Sequence, residues 1–145
     1  MTRRPRWVVD TNVLVSAFLW QGMPGRLIDL AGEKGSSILH QPGLLDELAA
    51  TLAKEKLAKY VAATGLTANQ IVSHYRRLAT LVTARRLEQR VSRDADDDAL
   101  LACALAVRAD LIITGDDDLL VLKTFKGVPI VTVANAVKRV LSRSP

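Results

Sequence analysis

The amino-acid sequence predicts an α/β fold: a central parallel sheet of four to five strands flanked by helices. Three observations lead there. Short apolar runs rich in β-branched residues, around Val8-Val9, Ile38-Leu39, Ile112-Ile113 and Ile130-Val131, are bounded by turn-formers, as buried strands are. Helical patterns separate these runs, which calls for crossover connections and hence parallel pairing with both sheet faces covered. With 145 residues and 49% hydrophobic content, the chain suits one domain over residues 1–145 built on one core.

The first strand, at Val8-Val9, delivers Asp10-Thr11-Asn12 to its carboxyl edge, where open α/β sheets place their chemistry. Asp10 there is either a helix cap or an active-site carboxylate. Val13 to Trp20 reads as a short apolar helix, and Pro24 suits the opening turn of a second, with Leu27, Ile28, Leu30 and Ala31 as its apolar face before Gly35. Ser37 to His40 is the second strand. After Pro42 a third helix carries the stripe Leu44, Leu45, Leu48, Ala49 and Leu52, with Glu47 beside it and able to border a cleft.

Residues 54–82 read as a helical arm outside the sheet. Thr67 with Gln70 matches a capping box for its second helix, and Thr80 to Thr83 stays open between helix and strand. Ala99 to Val107, preceded by Asp94, Asp96, Asp97 and Asp98, is apolar nearly all round and therefore central. Leu111 to Thr114 is the clearest buried strand. It too ends in acids, Asp116-Asp117-Asp118. Val128 to Val131 is the last strand, with Pro129 suggesting a sheet edge, and a helix from Asn135 to Ser142 closes the chain.

The one cysteine, Cys103, rules out an intramolecular disulfide and reads as a small buried hydrophobe rather than a catalytic thiol. Neither a membrane-spanning run nor a signal-peptide core is present, so the expectation is a soluble, cytoplasmic protein. Net charge is +5, yet eight of the 15 acidic residues lie between Asp94 and Asp118. Arg76, Arg77, Arg85, Arg86, Arg90 and Arg93 crowd just ahead of them. A basic chain that gathers its carboxylates in one stretch is using them together, the plain alternative being a solvated acidic loop.

Acids at two strand ends and one helix start can converge on a single crevice. Uncompensated carboxylates a few ångströms apart repel, so such a cluster holds either protons or a cation. Oxygen-only ligands suit Mg²⁺ or Mn²⁺, and no Cys/His spacing favours zinc. Such an ion bridges to phosphate oxygens and supplies a nucleophilic water, the requirements of phosphodiester hydrolysis. Arginines can then hold a nucleic-acid backbone.

Taken together, Val8-Val9-Asp10-Thr11-Asn12-Val13-Leu14-Val15-Ser16-Ala17, Glu47 in a leucine-rich helix, Asp98 opening an Ala/Leu-rich helix, and Ile113-Thr114-Gly115-Asp116-Asp117-Asp118 resemble the PIN domain family. The likeness spans nearly the whole chain and is nearest to the PIN-type toxins of prokaryotic toxin-antitoxin systems. It implies a Rossmann-like parallel sheet and a Mg²⁺- or Mn²⁺-dependent endoribonuclease acting on single-stranded or structured RNA. It also implies a homodimer and a cognate antitoxin as partner. By matching position, Asp10, Glu47, Asp98 and Asp116 are the implied metal-binding catalytic acids, with Asp118 in reserve for the fourth place and Asp46 a weaker rival to Glu47. Thr11, Asn12, Ser16 and Thr114 would orient carboxylates and water, and Arg85 and Arg86 would bind RNA.

Two other readings stay open. A metal-dependent phosphatase of another Rossmann-like class would use Asp10 as nucleophile, but wants a second aspartate where Asn12 stands. A catalytically weak PIN module would bind RNA or a partner protein without cutting. His40 and His74 read as ordinary polar residues, and Ser16, lacking a G-x-S-x-G elbow, is a poor nucleophile.

Overall fold

A computed structural model describes residues 4–20, 22–83, 87, 91 and 95–142, with residues 95 and 96 described in backbone alone. Its centre is a six-stranded sheet of β1 (Arg6–Val9), β2 (Ser37–His40), β3 (Ala79–Leu81), β4 (Leu111–Ile113), β5 (Thr124–Phe125) and β6 (Val128–Val131), in the order β3-β2-β1-β4-β6-β5. All neighbours run parallel except the β5–β6 hairpin. The chain therefore leaves β1 toward β2 on one side and returns to it from the other as β4. That reversal makes the gap between the carboxyl ends of β1 and β4 the topological switch point, where open α/β sheets form a crevice.

Strand alternation divides the core in two. Trp7, Val9, Leu111 and Ile113 face one way, into the cluster closed by the helices α1 (Thr11–Leu19), α2 (Gly22–Lys34), α3 (Leu44–Leu52), α5 (Ala68–Leu78) and α8 (Val133–Leu141). Val8, Ile112 and Ile130 face the other way, onto α6 (Ala95–Val107) and the short α7 (Asp117–Leu120). The period of two residues along each strand is what sorts them. Truncating one of the fully buried residues, Leu48 or Ile112 for example, to alanine would cost about 2–5 kcal/mol through lost contacts and the cavity left behind.

α6 needs no single apolar stripe, because it covers the centre of its face: Leu101, Cys103 and Ala104 are all inaccessible. Burial also pushes the Cys103 thiol up to about 11, which leaves it protonated and inert, in keeping with its reading as a small hydrophobe.

Residues 54–82 do not stand away from the sheet as an arm. A 3-10 turn (Glu55–Leu57) leads into α4 (Ala58–Ala63), and α5 then lies against α3 and sinks Ile71, Val72 and Tyr75 into the core. Tyr75 meets Phe18 edge-on at 6.0 Å and the His40 ring at 6.1 Å. The apolar residues of α5 thus belong to the main core. At its start the Thr67 Oγ1 accepts from the Gln70 N–H at 3.1 Å and the Thr67 N–H donates to Gln70 Oε1 at 2.8 Å, so the capping box forms. At its end the chain extends directly into β3, resolving the open choice at Thr80 in favour of a strand.

The sixth strand, β5, lay below what sequence can signal. It has two residues and is made by a tight turn at Lys126-Gly127, both at positive φ (51° and 84°). This is the conformation of a type I′ hairpin, usually marked by Asn-Gly. Pro129 pairs with Thr124 across it, so β6 stands one place in from the edge.

Candidate active site

At the switch point a cavity of about 70 Å³ opens among the first turns of four helices. Asp10, Glu47, Asp97 and Asp116 carry the acids of its wall. Thr11, Asn12, Gln41 and Leu100 complete it. Every acid sits at a helix start: Asp10 is the N-cap of α1, Glu47 is in the first turn of α3, Asp97 is in the first turn of α6, and Asp116 is the N-cap of α7. Unpaired N–H groups and the positive ends of helix dipoles face negative charge there, which offsets part of the repulsion between neighbouring carboxylates.

Asp10 both caps its helix and lines the cavity. One carboxylate oxygen accepts the Asn12 N–H at 3.4 Å, a long and weak cap. The other accepts the hydroxyl of Thr114 at 2.7 Å. Thr114, 0% exposed, is the first residue beyond β4, and its Oγ1 also accepts the Asp116 N–H at 3.0 Å. One buried hydroxyl thus ties the acid after β1 to the backbone of the acid after β4. Asp116 in turn accepts the Asp118 N–H at 2.9 Å. Of the two residues offered for the fourth place, Asp116 lines the cavity, whereas Asp118 is exposed and contributes its backbone.

Glu47 reaches the cavity while Asp46, one residue earlier, is exposed and does not line it. On α6 the structure differs from the expectation. Asp97, 7% exposed, lines the cavity, and Asp98 does not; both Asp98 oxygens accept the Val91 N–H, at 3.2 and 3.3 Å. Asp97 shares its face with Leu100, Leu101 and Ala104, and Asp98 with Leu101 and Ala102, all of them buried. On a helix apolar nearly all round, spacing in the sequence does not choose between the two acids.

Thr11 and Asn12 line the cavity as expected of supporting groups, but Ser16 is half-buried farther along α1 and does not. Arg85 and Arg86 lie outside the described residues, as do Arg90, Arg93 and Asp94. Gln41 was not foreseen. It follows β2 directly, at the same sheet edge as Asp10 and Thr114, and that position was the available signal.

His40, beside it, is buried, and burial lowers its pKa; the carbonyl of Gln41 works against that and Arg76 with it. A larger groove of about 640 Å³ runs past Phe18, Trp20, His74 and Leu78. Its single carboxylate, Asp29, leaves the chemistry to the smaller cavity.

The donor set of the cavity is all oxygen, carboxylates joined by hydroxyl and amide groups, which fits a hard divalent ion. Its packing is open: among the described residues no three His, Cys, Asp or Glu side chains form a group that could hold a metal ion. Also among the described residues, no helix is long and apolar enough to cross a membrane.

A family model described as PIN domain matches residues 6–118. A curated relative, an uncharacterized protein of Methanocaldococcus jannaschii, is 31% identical over 117 residues, which cover 80% of this chain and 74% of that one. Among solved structures, VapBC2 from Rickettsia felis bound to a DNA fragment from their promoter superposes with a TM-score of 0.61 at 13% identity, covering 88% of this chain and 98% of that one. The PIN domain endonuclease Utp24 gives 0.55 at 16% identity, over 90% of this chain and 86% of that one. A PilT N-terminus domain protein of Sulfolobus solfataricus gives 0.53 at 14%, over 97% of each chain. These three likenesses are of fold.

Proposed function

The chain belongs to the PIN domain family, and on that premise we propose that it is a Mg²⁺- or Mn²⁺-dependent endoribonuclease acting in the cytoplasm. We further propose that it is the toxin of a type II toxin-antitoxin pair. The observation that carries the reading is the meeting of Asp10, Glu47, Asp97 and Asp116 around one cavity at the switch point. Those acids come from segments far apart in the chain, and no packing need gathers them.

In this mechanism Asp10, Glu47, Asp97 and Asp116 would hold the ion, with Asp98 the alternative on α6. The chemistry a bound divalent ion would supply here is that of a Lewis acid toward a phosphodiester. Thr114 keeps one oxygen of Asp10 fixed, while the other carries only the long bond from the Asn12 N–H. Asn12 and Thr11 stand where they can orient water. A carboxylate of the set takes the proton of the attacking water, whose oxygen displaces the leaving oxygen of the phosphodiester in line, so no covalent enzyme intermediate forms. Exposed Arg76 and Arg77 at the end of α5, with Arg85 and Arg86, grip the RNA backbone. The likeness to VapBC2 supports a protein antitoxin as partner and residues 1–145 acting as a single PIN unit, with two copies forming the working dimer.

The openness of the acid group favours a second reading, a PIN module that binds RNA or protein without cutting. One experiment separates the two: single-stranded RNA is incubated with the protein and Mn²⁺, with and without EDTA, alongside the Asp10→Asn variant. Cleavage that needs the cation and disappears in Asp10→Asn, with the fold retained, is the expected result. Undiminished cleavage by Asp10→Asn would overturn the assignment, and uncleaved RNA under all conditions would favour the binding module. Phosphomonoester hydrolysis would point to the phosphatase class instead.

A further inference from the structure

Among the described residues of the cavity wall, Gln41 has a buried side-chain oxygen with no partner. Its backbone is engaged, since the carbonyl accepts the Leu44 N–H at 3.3 Å and lies 3.3 Å from His40 Nδ1. The side chain is 6% exposed, and among the described residues its Oε1 is buried with no hydrogen-bond partner. A folded chain ordinarily avoids a buried acceptor left unpaired, and such an exception asks for a reason.

Its surroundings narrow the reason. The charged walls of the cavity are the carboxylates of Asp10, Glu47, Asp97 and Asp116, which when ionised accept hydrogen bonds and cannot donate one to Oε1. The neutral donors of the wall, the Thr11 hydroxyl and the Asn12 amide, do not bond Oε1 either, so among the described residues it is left for a donor or a cation entering the cavity. The space, about 70 Å³, admits a small ion with a few waters and not a nucleoside. A neutral amide oxygen is also a hard ligand of the kind divalent cations accept beside carboxylates.

We propose that Gln41 Oε1 supplies a neutral oxygen to the cation shell of this cavity, directly or by accepting from a cation-bound water. The inference rests on the cavity being a cation site, as in the reading above. Gln41 is thus a positioning residue that sets how tightly the ion is held, in addition to the acids that carry the charge.

The test uses Mn²⁺ alone, without RNA, on the wild-type protein and on Gln41→Met, Gln41→Glu and Asp10→Asn. Melting temperature is read without metal and Mn²⁺ affinity by calorimetric titration. Gln41→Met removes the unpaired acceptor at similar volume, so without metal it should melt at or above the wild type. With metal it should bind Mn²⁺ about three- to tenfold more weakly, the worth of one hydrogen bond. Gln41→Glu keeps an oxygen there and adds charge, so it should bind Mn²⁺ at least as tightly as the wild type.

Wild-type Mn²⁺ affinity in Gln41→Met, or a lower melting temperature without metal, would overturn the inference. Should Gln41→Met fail to fold, weakened Mn²⁺ binding in Gln41→Glu would overturn it equally. Asp10→Asn separates the levels. If its Mn²⁺ binding falls while that of Gln41→Met does not, Gln41 lies outside the shell and the nuclease reading stands. If neither falls, or the wild type takes up no Mn²⁺, the cavity is no cation site and both ideas fail.

Discussion

Replacing Thr114 by valine removes one hydroxyl and almost nothing else, yet that hydroxyl serves two strand ends. The bond it donates to Asp10 at 2.7 Å is charge-assisted, and the one it accepts from the Asp116 N–H at 3.0 Å is neutral. Fully desolvated, the pair would be worth about 2–4.5 kcal/mol. Asp10 and Asp116 are both half-exposed, so water recovers part of the loss, and the expected destabilisation is about 1–3 kcal/mol. For a chain of this size that corresponds to a fall in melting temperature of about 3–9 °C. Freed from its tether, the Asp10 carboxylate swings, and misplacement of that order should lower RNA cleavage by about 10- to 100-fold. Thr114→Ser is the control: it keeps the hydroxyl and gives up a buried methyl, at about 1 kcal/mol, with cleavage close to the wild type. The assays are thermal melts and initial cleavage rates under saturating Mn²⁺. Full activity in Thr114→Val, or equal damage in Thr114→Ser, would refute the positioning role.

Further outcomes follow from neighbouring residues. Asp97→Asn should lose more cleavage than Asp98→Asn, because the first lines the cavity and the second meets Val91; the reverse order in a side-by-side assay would return the site to the residue the family resemblance implies. Tyr75→Phe should raise the urea midpoint, by about 0.5–2 kcal/mol in stability, since the buried Tyr75 hydroxyl has no partner among the described residues; a loss of stability would reveal one. His40 should make stability fall in mild acid. Its folded pKa is lowered from 6.5, chiefly by burial, so below about pH 6.5 the unfolded chain binds a proton that the folded one resists. Melting temperature should therefore drop between pH 7.5 and 5.5 more steeply in the wild type than in His40→Gln, and parallel curves would count against it.

The parts of this protein that sequence reveals are those where a single local rule governs. Val8-Val9 and Leu111 to Ile113 are strands because β-branched apolar runs bounded by turn-formers have few alternatives, and Thr67 with Gln70 caps a helix because both partners are three residues apart. Acids at the two strand ends were visible as a consequence, since the edge rule assigns them a place once the strands are known. What escaped depends on tertiary context. Whether α5 packs inward is decided by α3 and the sheet rather than by its own stripe. β5 exists only because β6 is there to pair with. Asp97 and Asp98 are adjacent in sequence and one helical step apart in space, and on a helix apolar nearly all round a run of aspartates conceals which one turns inward. Gln41 carries no charge and matches no motif, and its meaning arises only when the carboxylates around it are in place.

The contact between Asp10 and Thr114 joins residues 104 positions apart, and β1 acquires its second neighbour only when β4 arrives. During synthesis, a chain that has emerged as far as residue 110 already carries Asp10, Glu47 and Asp97 but lacks the fourth wall, with Thr114 and Asp116, that holds them together. Such long-range parallel pairing is also slow to form. An enzyme proposed to cut RNA is itself made on RNA, and this topology postpones the completion of its blade until β4 and the acid beyond it have been translated.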